Sequence, residues 1–212
     1  MTKEEFIEEL KKLNIIITDE QLEKLDKFYN LLLEWNQKIN LTRIIEEKDV
    51  YLKHFYDSLS LTKVINLNEV ETLCDVGTGA GFPGIVLKII YPHLKITLID
   101  SLNKRINYLN EIIKELELKD IIAIHTRSED HKKKYDVVTA RAVANLEKLT
   151  MWCMHLVKKD GVFIAMKANI EEEININEAI LKKYDCKIKH IETFYLPKEN
   201  SIRNLVVLEH KN

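Results

Sequence analysis

The stretch Thr72-Leu73-Cys74-Asp75-Val76-Gly77-Thr78-Gly79-Ala80-Gly81-Phe82-Pro83-Gly84 constrains this chain more than any other, because it runs an apolar strand, a glycine-rich turn and a helix start together. Four of the five glycines fall inside it, so permissive backbone and close approach of a ligand are concentrated in one place. Pro83 suits the first turn of a helix, where its missing N–H is not needed, and Ile85-Val86-Leu87 is expected to begin a helix packed on the strand. The turn's free N–H groups are then expected at a helix N-terminus, facing whatever binds there.

Short β-branched runs alternate with helical patterns from Glu71 onward. Strands are expected at 72–76, 95–99, 121–125, 136–140 and 161–166, with helices near 84–91, 103–118 and 145–157. This alternation predicts a parallel sheet covered on both faces and joined by right-handed crossovers. After a further helix near 171–183, strand-like runs at 187–195 and 204–210 are joined by Pro197-Lys198-Glu199-Asn200-Ser201 with no helix between them, so they pair antiparallel. The expected class is α/β, a Rossmann-like sheet that is mostly parallel with an antiparallel final strand.

Ahead of the sheet the patterning is helical. Phe6, Ile7, Leu10 and Leu13 share one helical face, and Thr18-Asp19-Glu20-Gln21 is a capping start for a second helix running to about Asn40. Its stripe, Leu22, Leu25, Phe28, Tyr29, Leu32, Trp35 and Ile39, marks a buried face. A third helix over 49–64 sets His54 and Asp57 at i, i+3, where they could pair. No Pro/Gly-rich linker intervenes, so residues 1–67 are expected as a helical extension docked on a core domain of residues 68–212.

No apolar run approaches the roughly 20 residues of a membrane span, and Met1-Thr2-Lys3-Glu4-Glu5 does not lead into a signal core; a cytoplasmic monomer without membrane contact is expected. Cys74, Cys153 and Cys186 are odd in number and far apart, which argues against a disulfide framework or a CxxC metal site and for buried apolar roles; no metal is expected. A net charge of −2 offers no global attraction for nucleic acid, so RNA binding would need a local patch.

Gly79-x-Gly81-x-x-Gly84 is a literal GxGxxG, with Asp100 about twenty residues further on, as in a dinucleotide fingerprint. The frame argues otherwise. The strand ends at Val76, which makes the working pattern Gly77-x-Gly79-x-Gly81 with Asp75 directly before it. A carboxylate there repels a pyrophosphate but accepts from an ammonium group, which S-adenosylmethionine has. In either reading Asp100 is placed to accept from ribose hydroxyls. Three alternatives stand beside a macromolecular methyltransferase: a nicotinamide enzyme, a regulatory nucleotide- or S-adenosylmethionine-binding module, and a small-molecule methyltransferase, which the acidic charge balance favours.

Several segments together resemble the RsmG (GidB) family of 16S rRNA guanine-N7 methyltransferases: Asp75 to Ile85, Leu98-Ile99-Asp100-Ser101 with Lys104-Arg105, and Thr139-Ala140-Arg141-Ala142-Val143-Ala144. The likeness extends through Glu34 to Thr42, His54-Phe55-Tyr56-Asp57-Ser58-Leu59 and Arg203-Asn204-Leu205-Val206-Val207, nearly the whole chain. One departure is Lys167-Ala168, where the family usually has Lys-Gly. The resemblance implies S-adenosyl-L-methionine as cofactor, and 16S rRNA, in a small-subunit or assembly-intermediate context, as partner. It implies cofactor contacts at Gly77 and Phe82, with Gly79 in the same loop, then at Asp100, Ser128, Glu129 and Arg141, and orienting roles for Arg141 and Lys167. Lys104, Arg105, Lys132-Lys133-Lys134, Lys167 and Arg203 would form a local basic surface for phosphates.

The chain lacks the Pro-Pro-aromatic turn that serves exocyclic amine methylation. Cys153, within a helical pattern, is no candidate for the nucleophile that pyrimidine C5 methylation needs. Guanine N7 already carries an unprotonated lone pair, so its methylation needs alignment and no general base.

Overall fold

A computed structural model of the chain describes residues 1–211 apart from 142, 143, 172, 174, 175 and 177. The helical section comes first: α1 (Lys3–Lys12), α2 (Asp19–Ile39), α3 (Glu47–Val50) and α4 (Asp57–Leu59). The first two begin in capping boxes, Thr2 with Glu5 and Thr18 with Gln21, so the start read at Thr18 is where α2 begins. Leu25, Phe28 and Leu32 of the α2 stripe are buried.

The uniform third helix expected over 49–64 is replaced by a graded one. Between α3 and α4 the backbone widens into a π turn, Tyr51–Tyr56, and after α4 it tightens to a 3₁₀ turn, Ser60–Lys63. Val50, Tyr51, Phe55 and Leu59 are buried, and so are the polar His54, Asp57, Ser58 and Ser60. With no solvated face to hold a 3.6-residue phase, the segment follows its neighbours. Ser58 and Ser60 hydroxyls donate to the carbonyls of His54 and Asp57 at 2.6 Å, satisfying main-chain acceptors inside the irregular stretch.

The sheet follows as β1 (Thr72–Val76), β2 (Lys95–Asp100), β3 (Ile121–His125), β4 (Tyr135–Arg141), β5 (Val157–Lys167), β6 (Cys186–Tyr195) and β7 (Ile202–His210). Between them lie α5 (Gly84–Ile90), α6 (Asn103–Glu115), α7 (Leu146–Cys153) and α8 (Glu178–Lys183). Strand order is β3-β2-β1-β4-β5-β7-β6. Strands β1 to β5 pair parallel, and β7 runs antiparallel to both β5 and β6. All of β1 is buried, as an apolar strand covered on both faces must be. The order reverses between β1 and β4, which opens a crevice at the carboxyl ends of these strands.

α7, β5 and α8 differ from the expected pattern. α7 stops at Cys153 and β5 starts at Val157, ahead of the expected 161, because Lys158-Lys159-Asp160 breaks the apolar run without breaking the strand. Lys158 donates to Asp136 at 2.8 Å across a bulge in the β4 pairing. The helix expected near 171–183 is described only as Glu178–Lys183; positions 172, 174, 175 and 177 of that expectation lie outside the described residues.

One hydrophobic cluster runs from Phe6, Phe28 and Phe55 through Phe82 and Ile85 to Leu109 and Val137, so the N-terminal helices share a core with one face of the sheet. Gln21 also donates to the last carbonyls of α5, Ile89 at 3.1 Å and Ile90 at 3.0 Å. The opposite face holds a second cluster that includes Cys74, Leu149, Cys153, Phe163 and Cys186. All three thiols are free and buried, as their spacing implied. Among the described residues no helix is long and apolar enough to cross a membrane.

Candidate active site

After β1 the chain turns through Gly77, whose φ of 67° only glycine adopts without strain. The turn's N–H groups are almost all spent inside the protein. Gly77 and Thr78 donate to Ile99 O at 2.8 and 3.1 Å, Gly79 to Asp100 Oδ2 at 3.0 Å, Gly81 to Thr78 O at 2.9 Å and Ile85 to Gly81 O at 2.8 Å. This corrects the expectation of free N–H groups at the start of α5, and it leaves no cradle for a pyrophosphate.

Asp75 also departs from its expected part. It is completely buried, and its Oδ2 accepts from the Thr78 hydroxyl at 2.6 Å and from Gly84 N at 2.9 Å, so it fastens the turn to α5, while its buried Oδ1 has no partner among the described residues. Burial pushes its carboxyl up to about 6, against the lowering effect of these two donors. Close packing explains Gly84, since a Cβ there would lie 2.2 Å from Leu98 Cδ2 and 3.0 Å from Asp75 Oδ2.

Two clefts flank this turn and share Gly77, Asp100 and Ser101. One, of about 300 Å³, is walled by Val76, Ile99, Thr126, Ser128, Glu129 and Trp152. The other, of about 410 Å³, is lined by Thr42, His54, Gly79, Phe82, Arg105 and Arg141, among others. Asp100, 2% exposed, accepts from Gly79 N, from Arg105 Nη1 at 3.1 Å and, on Oδ1, from Leu102 N at 2.9 Å. A carboxylate has about four acceptor positions, so one remains for a hydroxyl. Ser128 is buried with its hydroxyl on Glu129 Oε2 at 3.0 Å, while Glu129 itself is exposed. Acceptors at strand ends, apolar walls with an indole, and no phosphate cradle fit S-adenosylmethionine. Trp152 carried no signal in the sequence, because an aromatic at helical spacing reads as core.

Arg141 closes the second cleft and opens onto a third, of about 420 Å³, lined also by Lys53, Asp57, Lys167, Arg203 and Asn204. Its Nη1 donates to Lys53 O and Asp57 Oδ2, and its Nη2 to His54 Nδ1, each at 3.1 Å. His54 and Asp57 share a face, as the i, i+3 spacing implied, but instead of pairing with each other both bind the guanidinium. Asp57 also accepts from Arg203 Nε at 3.0 Å. The His54 ring stacks on Phe82 with centroids 4.4 Å apart, and Arg141 Cζ lies 5.1 Å from the Phe82 centroid. Phe82 is therefore mostly a packing residue, 3% exposed, at the edge of the cleft.

A guanidinium only donates, so His54 Nδ1 must accept, its proton sits on Nε2, and Nε2–H donates to Thr42 Oγ1 at 3.0 Å. Burial, helped by the charge of Arg141, pushes the imidazole down to about 3. His54 is neutral with both nitrogens engaged, and Asp57 is held by two guanidiniums. His125 donates to Ser101 O at 3.0 Å.

The expected basic surface divides in two. Arg105, Arg203 and Lys167 are committed to partners, Lys167 to Ala144 O and Glu173 at 2.8 Å each, whereas Lys104 and Lys132 to Lys134 are exposed. Ala142 and Val143 of the Arg-Ala-Val-Ala motif lie outside the described residues.

Fold and site together define a Rossmann-like S-adenosylmethionine-dependent methyltransferase. Solved structures share this fold: a SAM-dependent methyltransferase from Aquifex aeolicus aligns with TM-score 0.56 at 18% identity over 77% of this chain and 93% of that one. TYW2 of M. jannaschii, solved in complex with AdoMet, aligns with TM-score 0.53 at 22% identity over 68% of this chain and 70% of that one. The sequence model of the GidB family, rRNA small subunit methyltransferase G, matches residues 21–205. Ribosomal RNA small subunit methyltransferase G of Bacillus licheniformis is 46% identical over 99% of this chain and 90% of its own length. The chain belongs to the rRNA small subunit methyltransferase G family.

Proposed function

We propose that this enzyme transfers a methyl group from S-adenosylmethionine to N7 of a guanine in 16S rRNA of the small ribosomal subunit, acting as a cytoplasmic monomer on the subunit or an assembly intermediate. S-adenosylmethionine supplies the electrophilic sulfonium methyl. Gly77, Gly79, Phe82, Asp100, Ser128, Glu129 and Arg141 surround it; Arg141 and Lys167 orient the base, Lys167 by bracing the strand end that lines the third cleft. Residues 1–67 form an extension that shapes the RNA face of the domain at 68–212, so a chain beginning at Asn68 is expected to lose rRNA methylation.

The observation that carries the choice of atom is the absence, among the described residues at the Arg141 junction, of a side chain free to take a proton. His54 has no unused lone pair and Asp57 is doubly paired. N7 needs neither, because its lone pair attacks without deprotonation and alignment sets the rate. Mapping N7-methylguanine in small-subunit rRNA from a strain lacking the protein, before and after adding purified enzyme and S-adenosylmethionine, tests this. Single-turnover transfer is expected to vary little between about pH 6 and pH 8, a range that brackets an ordinary histidine. A rate rising tenfold per pH unit would indicate a general base and overturn the N7 assignment.

A further inference from the structure

Three of the five N–H groups of Arg141 are spent on protein acceptors, namely Lys53 O, Asp57 Oδ2 and His54 Nδ1. A carbonyl and a carboxylate have no choice of role. An imidazole does, for Nδ1 accepts only while the proton stays on Nε2. Arg141, which only donates, selects that form, and Thr42 Oγ1 receives the resulting Nε2–H at 3.0 Å and anchors the ring. Thr42 is fixed in turn: its Oγ1 also accepts from Ile44 N at 3.1 Å, and Asn36 Oδ1 accepts from the Leu41 and Thr42 amides at 2.6 and 2.8 Å. Turning the ring over would keep its stack on Phe82 but present carbon to both partners. The loop after α2 lines both clefts, Leu41 and Thr42 in one and Ile44 in the other.

We propose that His54 is a positioning residue for methyl transfer: anchored on Thr42 through Nε2 and accepting on Nδ1, it fixes the Arg141 guanidinium so that the remaining N–H groups serve the junction where cofactor and base meet. This rests on reading the clefts as cofactor and base sites. It makes the N-terminal section part of the catalytic alignment as well as of the RNA face.

Three variants and two kinds of readout test it. Nitrogen-15 spectra of histidine-labelled protein saturated with S-adenosylmethionine are expected to show His54 as the Nε2–H tautomer. His54→Phe keeps a flat ring on Phe82 but offers no acceptor. Its single-turnover rate is expected to fall about thirtyfold while the cofactor Kd changes less than about threefold, the pattern of lost alignment. His54→Gln, whose oxygen accepts from Arg141 and whose NH₂ donates to Thr42, should recover to within about fivefold of wild type. A His54→Phe rate within about twofold of wild type, an Nδ1–H signal for His54, or equal losses in the Phe and Gln variants would overturn the proposal. If His54→Phe does not fold, Thr42→Val decides by rate: losing the ring's anchor is expected to slow single-turnover transfer about fivefold with the cofactor Kd within about threefold, and an unchanged rate would overturn the proposal. The spectra need no rRNA, so a failure of the rRNA assignment leaves the tautomer result standing on its own.

Discussion

The cleft beside β1 to β3 and the Arg141 junction lie next to each other on one sheet edge, yet the first is built from successive strand ends and the second from residues 84 to 146 positions apart. Gly77 follows β1, Asp100 ends β2 and Ser128 comes shortly after β3, so the parallel pattern alone brings them together. His54, Asp57, Arg141 and Arg203 converge only because a π turn in the N-terminal section is packed over the end of β4. The two regions differ in charge as well. The cleft proposed for the cofactor keeps acceptor capacity on Asp100 and Glu129, whereas the junction holds a carboxylate between two guanidiniums and a neutral imidazole. A ligand site can leave polar groups open to its ligand; a centre that holds an arginine in place must satisfy its own first.

If that contrast is right, the most damaging substitution for the fold lies in the junction. Asp57→Ala would leave two guanidiniums without their shared carboxylate, and unfolding free energy is expected to drop by about 3 kcal/mol, the low end for a broken buried pair because both arginines retain some water. A loss under about 1 kcal/mol by denaturant titration would show that the junction is not a closed electrostatic unit. In the cofactor cleft the damage should be to binding. Gly77→Val strains a φ of 67° and fills the space between two clefts, so S-adenosylmethionine affinity should fall about a hundredfold, near 2.7 kcal/mol, with normal affinity by calorimetry refuting the site.

The next effect is one of pH. His54 lies near 3 in the folded chain against 6.5 unfolded, so below pH 6.5 the unfolded chain takes a proton that the folded one refuses; the stability present above 6.5 is lost as pH falls towards 3. Asp75, near 6 against 3.8, works in reverse, its contribution being full below 3.8 and lost as pH rises through 6. Between pH 7 and pH 5 wild type should therefore lose about 2 kcal/mol more than His54→Gln, and Asp75→Asn should steepen the loss. Equal slopes in wild type and His54→Gln would mean that the imidazole is solvated. The smallest effect is expected at Trp152, where Trp152→Leu keeps an apolar wall and should weaken S-adenosylmethionine about threefold, under 1 kcal/mol; an unchanged Kd would show that the indole does not wall the cofactor.

Much of the frame was legible in the residues. β1 and β3 run over the expected positions, and β2 and β6 are one residue longer, because apolar β-branched runs bounded by turn residues report burial directly. The start of β5 was hidden by Lys158-Lys159-Asp160, charged residues that a bulged strand end tolerates. The direction in which a side chain points was not legible. Asp75 reads as a ligand acceptor from its place before the turn, but Gly84 folds back onto it. Lys167 and Arg203 read as phosphate contacts, but Lys167 carries Glu173 from just beyond its strand and Arg203 carries Asp57 from the N-terminal section.

Sequence alone determined the class of this protein: the alternation of strands and helices, the glycine turn, the acid after the second strand and the segments shared with its family all follow from local pattern, which backbone geometry and burial impose over a few residues. Tertiary structure decided which of those residues remain free to act. Hydrogen-bond capacity is finite, so an N–H or a carboxylate already spent on a partner 80 or more residues away is closed to a ligand, and spacing along the chain carries no record of that partner.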